Sequence, residues 1–177
     1  MSVDPFRTLG IDPSFELDLE ALDTRHRDLS AALHPDRYAT KPANERRMAL
    51  DRAINVNTAW RQLRDPVQRA ERLLEHYGIA ISETTVPKAS PALLMEMMEV
   101  REELSEAKQA RDLDRVGKLG GRMSAKEAEV LEALRLGFVS AAGNVNTLRT
   151  LLPTLGELRY LKRFFEEVEA IEEQLLD

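Results

Sequence analysis

The sequence predicts an all-α protein, and two observations support this. Apolar residues recur at intervals of three and four positions through long segments, which is the spacing of helices with one buried face. Period-two runs of β-branched residues, which would indicate strands, are absent from the sequence. With 177 residues, of which 43% are hydrophobic, the chain can form two small helical units, each with its own core.

Four helices are expected in the first half of the chain. A short helix over residues 4–9 ends at Gly10. A second helix, over 18–33, ends before Pro35 and has an apolar line of Leu19, Leu22, His26, Leu29 and Leu33, in which we interpret the histidine as a packed core residue. After a polar loop over 37–44, a third helix covers 45–63, with inward positions at Met48, Ile54, Trp60 and Leu63. A fourth helix runs from Pro66 to a stop at Gly78.

The second half is expected to form an antiparallel three-helix bundle. Its long amphipathic helices are predicted over 92–109, 115–139 and 154–176, with a shorter piece over 145–152. The segment before them is rich in Ser, Thr and Pro, which is typical of a linker. We therefore predict one domain over 1–76, a linker over 77–91 and a second domain over 92–177.

Composition and charge exclude several classes of function. The chain has no cysteine, which excludes disulfides, thiolate metal sites and cysteine nucleophiles, and makes a reducing cytoplasm the expected location. The first thirty residues contain no uninterrupted apolar run, so we expect neither a signal peptide nor a membrane span there, and no membrane as a partner. The net charge is -6, with most of the acidic excess after Tyr77, which argues against nucleic acid as a partner.

One tripeptide, His34-Pro35-Asp36, lies in the loop between the second and third helices. The histidine can donate and accept hydrogen bonds, the proline fixes the loop backbone, and the aspartate can pair with an arginine of a partner. Around the loop, positive charge suits an acidic docking face and comes from Arg25, Arg27, Arg37, Lys41, Arg46 and Arg47. We expect no catalytic residue, because no nucleophile, oxyanion loop or phosphate-binding glycine run stands beside the loop.

This hairpin resembles a J domain. The likeness rests on the tripeptide, on the start Asp4-Pro5-Phe6-Arg7-Thr8-Leu9-Gly10-Ile11, and on the third-helix stretch Ala59-Trp60-Arg61-Gln62-Leu63 followed by Asp65-Pro66. The resemblance implies that His34, Pro35 and Asp36, with Arg25, Arg27, Arg37 and Lys41 near them, contact a DnaK-class chaperone ATPase and favour ATP hydrolysis once a client is bound.

The first helix of the second half has two apolar faces when it is unrolled at about 100° per residue. One face holds Leu93, Met97, Val100, Leu104 and Ala107 and is predicted to be buried in the bundle. The other holds Leu94, Met95 and Met98 beside Glu99, Glu102 and Glu106. Because a bundle helix needs only one buried stripe, the second face is a candidate contact surface, either for a client or for the first domain.

Over nearly its whole length the chain resembles the HscB family, the J-domain co-chaperones of iron-sulfur cluster biogenesis. The likeness rests on the J-domain residues, on Leu94-Met95-Glu96 through Arg101-Glu102-Glu103-Leu104, and on Leu158-Arg159-Tyr160-Leu161 with Glu172-Glu173-Gln174-Leu175-Leu176. It implies an L-shaped molecule whose bundle binds an IscU-like cluster scaffold and delivers it to an HscA-like ATPase. The scaffold contacts it implies are Leu94, Met95, Met98, Glu99, Glu102, Glu106 and Tyr160. The chain offers no ligand set for iron, so we expect it to carry no cluster or other cofactor itself.

Three other interpretations follow from the same residues. In the first, the chain is a J-domain adaptor for an unrelated client. In the second, it is a hydrolase in which His34 and Asp36 act together as the general base. In the third, it is a structural helical protein that dimerises through its C-terminal helices. Binding of a cluster scaffold separates the first from the HscB interpretation, and the missing nucleophile argues against the second. An intact partner response after Asp36→Asn would favour the third.

Overall fold

The computed structural model describes residues 3–87 and 89–176, and every regular element in these two ranges is a helix. The all-α class predicted from the sequence is therefore confirmed. The chain divides into two compact units, Met1–Ile79 and Ala80–Asp177. No helix in the described ranges is both long enough and apolar enough to span a membrane.

The described part of the first unit contains a run of helices whose starts are set by the sequence. They are α1 (Pro5–Leu9), α2 (Leu19–Ala32), α3 (Pro35–Tyr38), α4 (Ala43–Arg64) and α5 (Pro66–His76). The carboxylates of Asp4, Asp18 and Asp65 accept backbone N–H groups at the starts of α1, α2 and α5, which satisfies donors that a helix leaves unpaired. α1 ends at Gly10, whose φ of 64° lies in the left-handed region that favours glycine.

The core of the first unit forms where α1 and α2 pack against α4. Phe6, Leu9 and Leu22 are buried from the α1 and α2 sides. The buried stripe of α4 consists of Ala49, Val56, Ala59 and Leu63, at helical intervals of seven, three and four residues. Two of these are alanines, which let the neighbouring helices approach closely.

The inward positions predicted for α4 were partly wrong. Leu63 is fully buried and Trp60 is half-buried, but Met48 and Ile54 are 53% and 54% exposed. The large apolar residues were expected inside, whereas the position on the helix decides burial: Met48 and Ile54 lie off the stripe that contacts α1 and α2.

The predictions for α2 and the following loop also need correction. Leu22 is buried and His26, Leu29 and Leu33 are half-buried, but Leu19 is 41% exposed at the first position of the helix. The loop expected over 37–44 begins later, because α3 covers Pro35–Tyr38. Pro35 has the backbone geometry of a first helical residue, which favours this extra turn.

The second unit contains the predicted bundle of three long helices. They are α6 (Pro91–Gln109), α7 (Leu113–Ala141) and α9 (Leu152–Leu176), with the short α8 (Val145–Arg149) between the last two. α6 and α7 run antiparallel, since Glu106 pairs with Arg115 at 2.8 Å and Glu103 with Arg122 at 3.1 Å. α9 packs against both helices and returns antiparallel to α7.

The buried face predicted for α6 is confirmed residue by residue. Every member of the predicted stripe has a relative exposure of 3% or less: Leu93, Met97, Val100, Leu104 and Ala107. These residues face a core from α7 and α9 that includes Met123, Leu134 and Phe164. A single stripe is enough to hold α6 in the bundle, and Met95, Met98 and the acids Glu99, Glu102 and Glu106 outside it are exposed.

Within the second unit, the segment before α6 packs against α9. Val86 and Ala89 are buried, at 6% and 5% exposure. Gly156 in the second turn of α9 has no space for a Cβ atom, because the carbonyl group of Pro87 lies directly against its Cα. The backbone near Pro87 therefore touches the backbone of α9. The predicted division into residues 1–76, 77–91 and 92–177 stays a prediction.

Candidate functional site

The predicted tripeptide forms the junction between α2 and α3. α2 closes at Leu33, whose N–H donates to the carbonyl of Leu29. His34 follows with an extended backbone and is the N-cap of α3, Pro35 is the first helical residue, and Asp36 lies in the first turn. A carboxylate in the first turn is favoured by the positive end of the helix dipole. The local sequence therefore fixes the three residues in a tight corner at the end of the helix hairpin.

The side chains of this corner face solvent. The side chain of His34 is 59% exposed and that of Asp36 is 90% exposed. His34 Nδ1 accepts the backbone N–H of Asp36 at 3.4 Å, and the same nitrogen lies 3.5 Å from the Asp36 carboxylate. Because neither side chain is enclosed by its own chain, both are available to a partner protein.

A cluster around Trp60 joins the first half of α2 to the second half of α4, so it holds the two helices together at the end of the hairpin away from the corner. The indole Nε1 of Trp60 donates to the Asp23 carboxylate at 2.7 Å, and the ring of His26 stacks on the indole with centroids 4.5 Å apart. Arg64 lies over the indole and pairs with Asp23 at 3.5 Å. His26 Nε2 also lies 2.7 Å from Asn57 Oδ1, which fixes the imidazole between the two helices.

The predicted basic residues do not all play the same part. Arg37 and Lys41 are exposed beside the corner. Arg25 instead donates from Nε to the carbonyl of Leu9 at 2.9 Å, which ties α2 to the end of α1. Arg27 donates to the Thr24 hydroxyl at 3.0 Å along its own helix. Arg25 therefore has a structural contact within the first unit that the sequence pattern did not indicate.

The second predicted surface lies on the outer faces of α6. Met95 and Met98 are 66% and 73% exposed, among the most exposed large apolar side chains of the described residues. Leu94 is half-buried, and the acids that follow along the helix, Glu99, Glu102 and Glu106, are exposed. The structure therefore places an apolar patch at the start of α6 and a row of carboxylates toward its end.

Tyr160 joins this surface from α9. Its side chain and that of Leu94 line the same groove between the two helices. The guanidinium of Arg101 lies 5.2 Å from the centre of the Tyr160 ring, and Arg101 Nε donates to the Glu167 carboxylate at 3.0 Å. Arg101 and Glu167 were not predicted as site residues, and together they pack on and support the phenol ring.

The groove itself extends the predicted surface. It has a volume of about 460 Å³, and its walls come from α6, α9 and the segment that precedes α6. Among the described residues, its charged lining residues are Glu83, Arg159 and Arg163, none of which was predicted as a site residue. The available signal was the spacing of the two arginines, which stand four residues apart on α9 and therefore share a face.

The ionisable side chains of the described residues were compared with the requirements of a metal site, and their pKa shifts fall outside the two predicted surfaces. Across residues 3–87 and 89–176, no group of three or more His, Cys, Asp or Glu side chains is arranged to hold a metal ion. The perturbed groups lie away from both surfaces. Burial lowers the pKa of Arg69, which donates to the carbonyl of Leu63, and burial raises the pKa of Glu127 on α7.

Comparison with known proteins places these features in context. Residues 89–169 match the family model of the HSCB C-terminal oligomerisation domain. The structure is similar to that of the chaperone HscB from Vibrio cholerae, with a TM-score of 0.82 and 29% identity over 98% of this chain and 99% of that one. It is also similar to the crystal structure of the human co-chaperone protein HscB, with a TM-score of 0.81 and 25% identity over 96% of this chain and 82% of that one.

Proposed function

Because the chain belongs to the HscB family of co-chaperones in iron-sulfur cluster biogenesis, we propose that it binds a cluster scaffold protein and delivers it to a DnaK-class chaperone ATPase. In this role it stimulates ATP hydrolysis by the chaperone and so promotes transfer of the cluster. The observation that carries the proposal is the presence of two exposed surfaces in different units of one chain: the corner at His34 and the outer face of α6. An adaptor needs two such surfaces, whereas an enzyme needs one enclosed site.

We assign the ATPase contact to the proposed domain over 1–76. Asp36 presents a carboxylate that is 90% exposed, and a bidentate pair with a partner arginine is the strongest contact open to it. Arg37 and Lys41 add exposed positive charge on the same side, which speeds approach to an acidic docking face. These side chains bind and orient the partner, which carries out the hydrolysis itself.

The scaffold contact is assigned to the proposed domain over 92–177, connected to the first by 77–91. Leu94, Met95 and Met98 on α6 and Tyr160 on α9 form its apolar part. The exposed acids Glu99, Glu102 and Glu106 form its polar part. Glu106 already pairs with Arg115 at 2.8 Å, so its carboxylate contributes less to a partner than the other two.

The experiment that tests the proposal is the steady-state ATPase rate of the HscA-like chaperone of the same organism, with its IscU-like scaffold present. The wild-type chain is expected to stimulate the rate, and Asp36→Asn to abolish the stimulation. The exposed Asp12, which lies between α1 and α2, supplies the matched control: Asp12→Asn should stimulate like wild type.

The scaffold surface is tested by the triple variant Leu94→Ala, Met98→Ala, Tyr160→Ala. Loss of three central apolar contacts at about 1 kcal/mol each weakens scaffold binding by about 100-fold and removes only the scaffold-dependent part of the stimulation. Leu136 and Val139 on α7 are 52% and 65% exposed, so their double alanine variant controls for loss of surface apolar area. If the wild-type chain does not stimulate the ATPase, the proposal is wrong. If the triple variant behaves like wild type, the chain is still an adaptor, but its client binds to a different surface.

A further inference from the structure

The groove beside Tyr160 is partly apolar, and its walls are held in place by backbone contact. One wall is α9, and the opposite wall includes Val86, Pro87 and Ala89, of which Val86 and Ala89 are buried. Gly156 allows the two walls to meet, since only a residue without a Cβ admits the Pro87 carbonyl. The width of the groove is thus set by a backbone contact and does not depend on the rotamer of a side chain.

The charge of the groove is opposite to that of the α6 surface next to it. Among the described residues that line the groove, Arg159 and Arg163 stand against one acid, Glu83. The outer face of α6 carries Glu99 and Glu102 beyond the apolar patch. The charge along this face therefore runs from positive at the groove, through the apolar residues, to negative toward the end of α6.

We propose that the groove binds an exposed, extended segment of the scaffold client that carries an Asp or Glu side chain, with this carboxylate paired to Arg163. Arg163 is exposed and lines the groove, so its guanidinium can form a bidentate pair without displacing a core contact. The volume of about 460 Å³ accommodates a short stretch of peptide, and Leu94 and Tyr160 border both this stretch and the apolar patch. The inference rests on the proposed function, and it adds a second contact region to the client surface.

The order of charges along this face determines the orientation in which a client can bind. A client that places an acid at the groove and basic residues along Glu99 and Glu102 fits in one direction only, because the reverse orientation puts like charges together. Complementary charges of this kind act on association rate and orientation more than on total affinity. The apolar patch then holds the client in place, and the groove selects its orientation.

The experiment measures association and dissociation rates of the IscU-like scaffold on the full-length chain, at low and at moderate ionic strength. Arg163→Glu is expected to lower the association rate by about tenfold at low salt, with a smaller effect at moderate salt because ions screen the attraction. Lys118→Glu on α7 is the matched control, since it changes net charge equally near the opposite end of α9 and should leave the association rate nearly unchanged. Circular dichroism verifies that both exposed-site variants keep the helical fold.

The outcomes separate this inference from the proposed function. If Arg163→Glu and Lys118→Glu have the same effect while Leu94→Ala, Met98→Ala, Tyr160→Ala abolishes binding, the groove inference is wrong and the client surface stands. If the wild-type chain does not bind the scaffold, both are wrong. The strongest support is recovery of the Arg163→Glu association rate when one acidic residue of the scaffold is replaced by Lys, which identifies the paired carboxylate.

Discussion

Gly156 is the position at which one added methyl group is most clearly predicted to lower the free energy of unfolding. A Cβ atom in Gly156→Ala overlaps the carbonyl oxygen of Pro87 and comes within 3.6 Å of Val86 Cγ1. The obstacle is backbone and cannot rotate out of the way as a long side chain would. The segment around Pro87 must therefore move away from α9, which opens the wall of the groove.

The size of the effect follows from what that movement exposes. Val86 is 6% exposed, and burial of a whole valine side chain is worth about 1.5–3 kcal/mol, with a smaller share for Ala89. Partial displacement costs about 2–3 kcal/mol in the free energy of unfolding, in the range of other overpacked sites. Alanine recovers about 1 kcal/mol through its better helix propensity. The expected net loss is about 1–2 kcal/mol.

Urea unfolding followed by circular dichroism measures this loss. Gly121 on α7 is the matched control, because nothing lies within 4 Å of a Cβ there, and Gly121→Ala should gain about 1 kcal/mol from propensity alone. Fluorescence of Trp60, the only tryptophan of the chain, follows the first unit separately. If Gly156→Ala proves as stable as Gly121→Ala, the segment near Pro87 is not pressed against α9 and the argument for a fixed groove wall fails.

Two further predictions concern single carboxylates. Asp23→Ala removes the 2.7 Å hydrogen bond of the Trp60 indole and the pair with Arg64, so the first unit should lose about 1–2 kcal/mol, seen as an earlier urea midpoint in tryptophan fluorescence. Glu127→Gln should raise stability at pH 7, because burial raises the pKa of Glu127 and so disfavours its charged folded form. That gain should shrink as the pH falls through the raised pKa and vanish below the ordinary carboxyl range; a gain that is constant with pH would contradict the assignment.

The bounds of the helices could be predicted closely because residues next to each end determine where a helix starts and stops. Asp65-Pro66 begins α5 and Gly10 ends α1, and both signals act through backbone hydrogen bonds within a few residues. The inward face of α4 could not be predicted in the same way. Ala49 and Ala59 are buried in α4, but alanine occurs both inside proteins and on their surfaces. Their burial is therefore recognised only from the packing of α1 and α2.

The sequence predicted the two candidate surfaces but did not predict the groove beside Tyr160. The corner at His34 and the outer face of α6 came from the motif and the helical wheel, and the structure leaves both exposed, although their partner contacts stay predictions. The groove came from neither, because it needs Pro87 beside Gly156, two residues nearly seventy positions apart. The contact of Arg25 with Leu9 was missed for the same reason, since it joins separate helices.

The Arg101 contact with Tyr160 changes how the client surface responds when a partner arrives. With Arg101 over one ring face, and Glu167 paired with Arg101, the phenol has fewer favourable rotamers before binding than a free side chain has. Docking on it therefore costs little side-chain conformational entropy, whereas ordering the long thioethers of Met95 and Met98 costs up to about 1.5–2 kcal/mol each. The surface thus combines a preorganised aromatic anchor with compliant neighbours that can adjust to clients of slightly different shape.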